Sequence, residues 1–285
     1  MKHSKIKEQI KMRVLPHLDN LELMHATYIA QSFPRHTHDG FAIGMIERGV
    51  LKFFYRGENV IAPSGHINLA NPGEAHTGCA ASEAGWTYRM FYLKPEWLKL
   101  AAAEISGRPK GMPFFQSGVI KDHHMAAIIR RLHMLLDMPG TPLMEQESEL
   151  LCALSQFVMR HADERFILRP AGKEQQAVKR VREYIEAHYS EDLSINRLSG
   201  IANLSPFHLI RVFRTETGLP PHAYLTQVRI RRAKALIAAG QPIARVSHDT
   251  GFTDQSHLTR HFKRILGITP GQFSNFVQDP RNSSI

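Results

Sequence analysis

Apolar side chains recur at helical spacing in two stretches near the end of the chain, residues 194–217 and 243–266. Each stretch reads as a short helix, a break and a second helix. A residue that favours the N-cap position stands at the start of each second helix: Ser205, followed by Pro206, in the first stretch and Asp254 in the second. The pattern predicts two helix-turn-helix units.

The two units are copies of one pattern. The segment SPFHLIRVFRTETGLPPHAY, which starts at Ser205, aligns with DQSHLTRHFKRILGITPGQF, which starts at Asp254, at a constant offset of 49 residues. A tandem pair of one supersecondary unit indicates that one task is performed twice along the chain. A helix, a sharp turn and a second helix form the arrangement that presents its second helix to the major groove of DNA.

The side of each second helix that lies away from its apolar stripe carries candidate base-reading side chains. They are Phe207, His208, Ile210 and Arg211 in the first unit and Gln255, Ser256, Thr259 and Arg260 in the second. Arginine pairs bidentately with guanine, glutamine pairs with adenine, and an apolar side chain contacts a thymine methyl group. Arg211 and Arg260 occupy equivalent positions of the repeat, which favours base reading over the alternative of two solvated surface arginines.

Between the units, residues 221–239 are rich in Ala, Leu, Ile and Arg and predict one helix. At about 1.5 Å per residue this helix is roughly 28 Å long. Successive major-groove faces on one side of DNA lie about 34 Å apart, so the helix suits two readers held one turn apart. Residues 173–285 also hold 16 basic and 9 acidic side chains, a net of +7 out of +10 for the whole chain. Such an excess of cations is expected where a protein contacts phosphates.

The region before residue 100 shows short β-rich runs with turn residues between them. The runs are Phe41–Ile46, Val50–Tyr55, Val60–Ile61, His66–Ala70 and Trp86–Tyr92. The turn residues are Arg48-Gly49, Arg56-Gly57 and Pro63-Ser64-Gly65. This spacing predicts an antiparallel barrel or a double-sheet jelly roll.

Residues 121–162 predict two helices, because apolar residues recur at helical spacing on both sides of a Pro-Gly-Thr-Pro break. Their apolar faces either pack against the barrel or form a dimer interface, and the periodicity leaves both alternatives open. The expected organisation is a barrel domain over 1–100, a helical extension over 101–165, a linker over 166–175 and a helical DNA-binding domain over 176–285. The predicted fold class is multidomain α+β.

Composition excludes several other classes of protein. Two cysteines, Cys79 and Cys152, are too few for a disulfide framework or a thiolate metal site, and they indicate a reducing compartment. No stretch is apolar and long enough to span a bilayer, and the basic N-terminus lacks the apolar segment of a signal peptide. We therefore expect a cytoplasmic protein with no membrane partner.

Residues 176–278 resemble the DNA-binding domain of the AraC family of bacterial transcription regulators. The segment GFTDQSHLTRHFKRILGITPGQF matches the family pattern most closely. The resemblance implies that the second helix of each unit is a recognition helix, that the eight residues named above read double-stranded DNA, and that the protein activates transcription by contact with RNA polymerase. It leaves a homodimer open. Two residues depart from the pattern: His257 stands where an aromatic residue is more usual, and Ser274 where an arginine often follows.

Residues 15–98 resemble the cupin-like effector-binding domains that are fused to AraC-type DNA readers. Residues 34–38 carry His-x-His, and residues 71–76 carry Gly-x-x-His. The resemblance implies a cupin-like β-barrel, or jelly roll, with flanking helices, in which His36, His38 and His76 come together. With Arg89 as a fourth effector-binding residue and Arg35 nearby, such a pocket would suit an anionic or zwitterionic small molecule.

A metal ion is the alternative ligand for the three histidines. Metal-binding cupins usually add a glutamate a few residues after His-x-His, but residues 41–46 are Phe, Ala, Ile, Gly, Met and Ile. Glu47 is expected in the following hairpin turn, too far along the chain to be this ligand. Glu74 is the remaining candidate to replace it. We therefore expect no metal, no other cofactor and no catalytic residue. The predicted function is an effector-responsive transcription regulator, and the rival interpretation is a metal-dependent cupin enzyme that carries a DNA-binding tail.

Overall fold

The computed structural model describes residues 7–106, 111–163, 174–266 and 268–278. Their contacts divide them into two compact units: one lies within Met1–Pro139 and Leu150–Arg169, and the other within Gly140–Glu149 and Pro170–Ile285. Most of the predicted linker, 166–175, lies outside the described residues.

The first unit is built mainly of antiparallel strands. Within the described residues these are β1 (Gln9–Leu15), β2 (Leu21–Tyr28), β3 (Ser32–His36), β4 (Phe41–Tyr55), β5 (Glu58–Pro63), β6 (Ile67–Ala70), β7 (His76–Ala80), β8 (Trp86–Leu93) and β9 (Val119–Ile120). One sheet has the order β1-β2-β8-β4-β6-β9, and a second has the order β3-β7-β4-β5. The antiparallel, double-sheet architecture predicted from the sequence is confirmed.

Strand β4 belongs to both sheets. Its first part pairs with β6 and β8, and its second part pairs with β5 and β7. The register shifts between Ile46 and Arg48, and Gly49 has a left-handed φ of 72°, with the carbonyl oxygen of Gly85 only 2.1 Å from where a Cβ would stand. The prediction that Arg48-Gly49 is a turn between two strands is therefore wrong. These residues lie in an irregular stretch of the kind that bends a strand without ending it.

Side-chain alternation along the strands creates the apolar core between the two sheets. On β8, Trp86, Tyr88 and Met90 face this core. Arg89 and Phe91 face the opposite side, where both contact His133 of a helix.

Within the described residues, helices α1 (Pro95–Ser106) and α2 (His123–Asp137) belong to the first unit. Helix α3 (Leu143–His161) begins in the second unit and continues in the first from Leu150. The two helices predicted within 121–162 are thus present. Asp122 caps α2 by accepting a hydrogen bond from the backbone N–H of Met125 at 2.9 Å. The apolar face of α2, which includes Met125, Ile129 and Leu132, is buried.

The second unit is helical. Its helices are α4 (Gln175–Ala187), α5 (Ile195–Ala202), α6 (Pro206–Thr217), α7 (Pro221–Ala238), α8 (Ile243–Asp249), α9 (Gln255–Leu266) and α10 (Pro270–Gln278). The pairs α5–α6 and α8–α9 are the two helix-turn-helix units, and α7 connects them. The turns use left-handed residues, Asn203 in the first unit and Gly251 in the second. The predicted caps are present, since Ser205 accepts from the backbone N–H of His208 and Asp254 from that of His257.

Candidate DNA-binding surface and effector cavity

Helix α9 presents its predicted base-reading side chains on an open face. Gln255, Ser256 and Arg260 are exposed, and Thr259 is half-buried. Leu258, on the other side of the helix, is fully buried. The arrangement matches what a recognition helix requires: a polar face available to DNA and an apolar face anchored in the unit.

Helix α6 presents its predicted side chains less openly. Phe207, His208 and Arg211 are half-buried, and Ile210 is buried, with 4% of its surface exposed. The exposed position expected for Ile210 is therefore not what the structure shows. The apolar face of α6 that is turned into the interior is wide enough to include Ile210.

Glu174, which precedes α4, holds His208 and through it Arg211. The Glu174 Oε1 atom lies 2.8 Å from His208 Nε2, and Arg211 Nη2 donates to His208 Nδ1 at 2.8 Å. Because a guanidinium group can only donate, Nδ1 is the acceptor and Nε2 carries the proton that is donated to Glu174. Two side chains predicted to read DNA are thus engaged by a carboxylate of their own unit.

Helix α7 carries one buried arginine and two exposed arginines. Arg229 is buried and donates to the carbonyl oxygens of Tyr189 and Glu191, at 2.7 and 2.8 Å. Burial lowers the pKa of Arg229 to about 10, so it stays charged at neutral pH. Arg231 and Arg232 are exposed, and Arg231 Nη2 donates to both carboxylate oxygens of Glu186 at 2.7 Å.

The barrel brings His36, His38 and His76 together, as the cupin resemblance implies. The ring centroids of His36 and His76 are 4.4 Å apart, and His38 lies 5.0 Å from His36 and 5.1 Å from His76. Burial, reinforced by the other two rings, lowers the pKa of His38 to about 4, and burial also lowers the pKa of His76. Both rings are therefore neutral at physiological pH.

The three histidines line a cavity in the first unit that is open to solvent, and the empty space within it and at its mouth is about 560 Å³. The cavity walls are largely aromatic and aliphatic, and none of the described lining residues carries a formal charge. The lining residues other than the histidines include Phe33, Leu51, Phe53, Asn68, Thr77, Trp86, Tyr88, Met90 and Tyr92. Two polar atoms of this wall, Asn68 Oδ1 and Trp86 Nε1, are buried without a hydrogen-bond partner among the described residues. Both atoms are thus available for a hydrogen bond to a ligand or water in the cavity.

The sequence matches two protein-family models. Residues 20–154 match the AraC-like ligand binding domain, and residues 198–275 match a helix-turn-helix domain. The uncharacterized HTH-type transcriptional regulator YbfI of Bacillus subtilis is 33% identical over 243 residues, which cover 85% of this chain and 87% of that protein. The chain belongs to the AraC family of transcription regulators. Both predicted parts, the effector-binding domain and the DNA-binding domain, are confirmed.

More distant similarity extends over most of this AraC-family regulator. The arabinose operon regulatory protein of Salmonella typhimurium is 26% identical over 247 residues, which cover 82% of this chain and 83% of that protein. The solved structure of ToxT from Vibrio cholerae covers 91% of this chain and 99% of its own, at 11% identity and a TM-score of 0.37. No helix within the described residues of the regulator is both long and apolar enough to cross a membrane.

Arg89 of the regulator does not join the histidines, contrary to expectation. It lies on the outer face of β8, where its Nε donates to Glu47 Oε1 at 2.8 Å and its Nη1 contacts His133 Nδ1 at 3.2 Å. Strand alternation explains this position, because the neighbours Tyr88 and Met90 face the cavity. Arg35 is exposed and does not line the cavity either. None of the described residues that line the cavity is thus an arginine that could select an anionic effector.

Glu47 lies within β4, and the expectation of a hairpin turn is wrong for this residue. It accepts hydrogen bonds from Arg89 and Arg130 at 2.8 Å each, and His25 Nε2 lies 2.9 Å away. Burial raises the pKa of Glu47, but the hydrogen bonds from Arg89 and Arg130 and the charge of Arg89 outweigh it, so the pKa lies below its ordinary value. Glu47 is thus an ion-pair partner on the outer face of the sheet.

Sequence reasoning missed Asn68, Trp86 and Tyr92 as cavity residues of the regulator. A signal for them was present, because each belongs to a predicted β-rich run. Counting in steps of two from Trp86 would have placed Tyr88, Met90 and Tyr92 on one face.

Proposed function

We propose that this regulator binds a small molecule in the cavity of the first unit and reads double-stranded DNA with α6 and α9. The observation that carries the proposal is the pair of helix-turn-helix units, of which α9 exposes Gln255, Ser256 and Arg260. The proposed DNA contacts are Phe207, His208, Ile210, Arg211, Gln255, Ser256, Thr259 and Arg260. Those on α6 require the contacts around His208 and Ile210 to rearrange.

The length of α7 supports a geometry with two readers. Its 18 residues correspond to roughly 27 Å of helix, and successive major-groove faces lie about 34 Å apart. Recognition helices on the two sides of α7 would then contact DNA segments separated by about one helical turn.

The effector contacts in this proposal are His36, His38 and His76, together with Asn68 and Trp86 of the same cavity wall. An effector changes DNA binding only if its affinity differs between two states of the protein. Release of His208 and Arg211 from Glu174 is one such change of state. Activation of transcription, contact with RNA polymerase, a homodimer and a cytoplasmic location belong to the proposal, and they draw on the family to which the chain belongs. The relatives named above are regulators, so we propose no catalytic role.

The first test compares Arg260→Ala and Arg211→Ala with Arg245→Ala as the control. Arg245 is an exposed arginine on α8, outside the proposed contacts. Binding is measured by fluorescence anisotropy on a duplex selected from a random library and on its single-base-pair variants. Each test variant is expected to weaken specific binding by about 1–3 kcal/mol, roughly 5- to 150-fold, and to relax preference at one position. The two positions should lie about 10 base pairs apart.

Two outcomes would contradict this geometry. If both variants changed the preference at the same base pair, the two helices would not be separate readers. If each weakened binding equally on all sequences, Arg211 and Arg260 would be phosphate contacts. Binding of the wild-type protein should also fall steeply as salt rises, by close to one unit of log-log slope for each phosphate contact.

A further inference from the structure

The three cavity histidines form an arrangement that suits a metal ion. One nitrogen from each of His36, His38 and His76 lies within 4.8 Å of the other two. A tetrahedral site with bonds of about 2.1 Å places its nitrogens about 3.4 Å apart. Shifts of about 1 Å, which rotation of the rings can supply, would therefore close the site.

Backbone hydrogen bonds orient two of the rings for metal binding. His36 Nδ1 lies 2.8 Å from the carbonyl oxygen of Pro34, and His76 Nδ1 lies 3.0 Å from that of Glu74. A carbonyl oxygen only accepts, so Nδ1 carries the proton in both rings and the lone pair is on Nε2. Metal-ligating histidines typically donate their other N–H to a carboxylate or backbone carbonyl in this way.

We propose that His36 and His76, through Nε2, and His38, through one ring nitrogen, bind one divalent first-row transition-metal ion, with at least one coordination position left for the effector. This reverses the expectation drawn from the missing glutamate. Without a carboxylate the three ligands are neutral, so the ion would keep its full positive charge. The described residues of the cavity wall carry no formal charge of their own. A bound ion would thus give this cavity a means of attracting an oxygen-donor effector. That last step rests on the proposed effector function, whereas the metal site itself does not.

Imidazole ligands narrow the choice of ion. Three nitrogen donors suit Zn²⁺, Co²⁺, Ni²⁺, Cu²⁺ or Fe²⁺. Mg²⁺ and Ca²⁺ require oxygen ligands, so they should not bind here and can serve as controls.

A second cluster of side chains that can bind a metal ion consists of Glu145, His257 and His261. It differs from the cavity histidines because the lone pair of one of its rings already accepts a hydrogen bond. Its ligand atoms also lie within 4.8 Å of one another. However, Arg264 Nη2 donates to His261 Nδ1 at 2.9 Å, which places the proton of His261 on Nε2. The lone pair is thus already used by a guanidinium group, and we propose no metal there.

The test is a titration of the full-length, untagged protein with Co²⁺ after treatment with a chelator. We expect visible absorption bands that saturate at one Co²⁺ per chain and a higher melting temperature with Co²⁺ or Zn²⁺, but not with Mg²⁺. Azide added to the Co²⁺-loaded protein should shift the bands, because it enters the open position. The variants are His76→Gln and His38→Gln, with circular dichroism to verify folding.

His66→Gln and His123→Gln are the matched controls. His66 and His123 also lie in the first unit, with ring centroids 5.4 Å apart and each Nδ1 near a backbone carbonyl. They belong to no group of three ligands among the described residues. We expect these controls to bind Co²⁺ as the wild type does and His76→Gln to bind at least about 100-fold more weakly, since even outer-shell changes cost 10–100-fold.

Absence of stoichiometric binding by the wild type, or binding that His76→Gln leaves unchanged, would overturn the metal site. Stoichiometric binding without an azide response would overturn the open position. Neither result would affect the DNA-binding proposal, which the arginine variants test separately.

Discussion

Asn71 is expected to be the polar side chain on which the stability of the first unit depends most. It is 2% exposed and stands at the start of the turn that leads to His76. Its Nδ2 donates to the hydroxyl oxygen of Tyr55 and to the carbonyl oxygen of Phe115, both at 2.8 Å. Its Oδ1 accepts from the backbone N–H of Phe115 at 3.2 Å. One amide thus joins Tyr55 of β4 to the segment that contains Phe115.

The substitution Asn71→Ala removes these three hydrogen bonds and leaves the N–H and C=O of Phe115 unpaired. Phe115 is fully buried, and an unpaired buried polar group costs about 1–3 kcal/mol. Tyr55 keeps one partner, because the backbone N–H of Asn71 also donates to its hydroxyl at 3.2 Å. We therefore expect a loss of about 3 kcal/mol in the free energy of unfolding. For a unit of this size that lowers the melting temperature by roughly 6–12 °C.

Tryptophan fluorescence isolates the relevant transition in the full-length protein. The chain has two tryptophans, Trp86 and Trp97, and both lie in the first unit. Asn59→Ala is the control, since Asn59 is an exposed asparagine of β5, and an exposed position of this kind should change stability by less than about 0.5 kcal/mol. If Asn71→Ala melted within 2 °C of Asn59→Ala, roughly the shift expected of 0.5 kcal/mol, the hydrogen-bond argument would be refuted.

Two further predictions concern the second unit. Two hydrogen bonds from Arg231 hold the pKa of Glu186 below its ordinary value in the folded protein. Ionised Glu186 therefore stabilises the fold at neutral pH, and this stability is lost as the pH falls through the folded-state pKa. Urea midpoints followed by far-UV circular dichroism should therefore drop more between pH 7 and pH 4 for the wild type than for Glu186→Gln, and equal drops would contradict the assignment. Glu174→Gln should raise DNA affinity about fivefold. The substitution replaces a charge-assisted hydrogen bond to His208 with a neutral one that is weaker by about 1 kcal/mol, so the contact that competes with DNA binding is weaker by that amount. Fluorescence anisotropy would check this against the exposed control Glu183→Gln, and an affinity no higher than that of the control would count against the competition.

The second unit could be predicted from the sequence because its signals are local. Ser205 and Asp254 cap helices within three residues of themselves, and the offset of 49 residues exposes the repeat without any knowledge of tertiary contacts. The engagement of His208 by Glu174 could not be predicted in the same way. It joins residues 34 positions apart in the chain, and no periodic pattern reports such a contact.

The first unit was predicted in outline only. Strands β1, β2, β3, β7 and β9 are not predicted by the pattern. Strand β1 shows why: most of its side chains are exposed on both faces, so the alternation that marks a half-buried strand is absent. The pair Arg48-Gly49 predicts a turn because glycine permits a positive φ, but the same freedom serves a bend within one strand. The chemistry of Arg89 suits the cavity, but its position between Tyr88 and Met90 places it on the opposite face of β8.

In the proposed function, the connection of both helix-turn-helix units by α7 would give the DNA site a direction. A dimer with one such unit per chain reads an inverted repeat, which looks the same from either strand. Here the two candidate recognition helices differ in sequence and follow one another in one chain, so the bases that they are proposed to read would form an ordered pair. Reversing the site on the chromosome would turn the bound protein to face the other way. Binding by a single chain would then specify an orientation as well as a position, and only the gene on one side would lie in front of the protein.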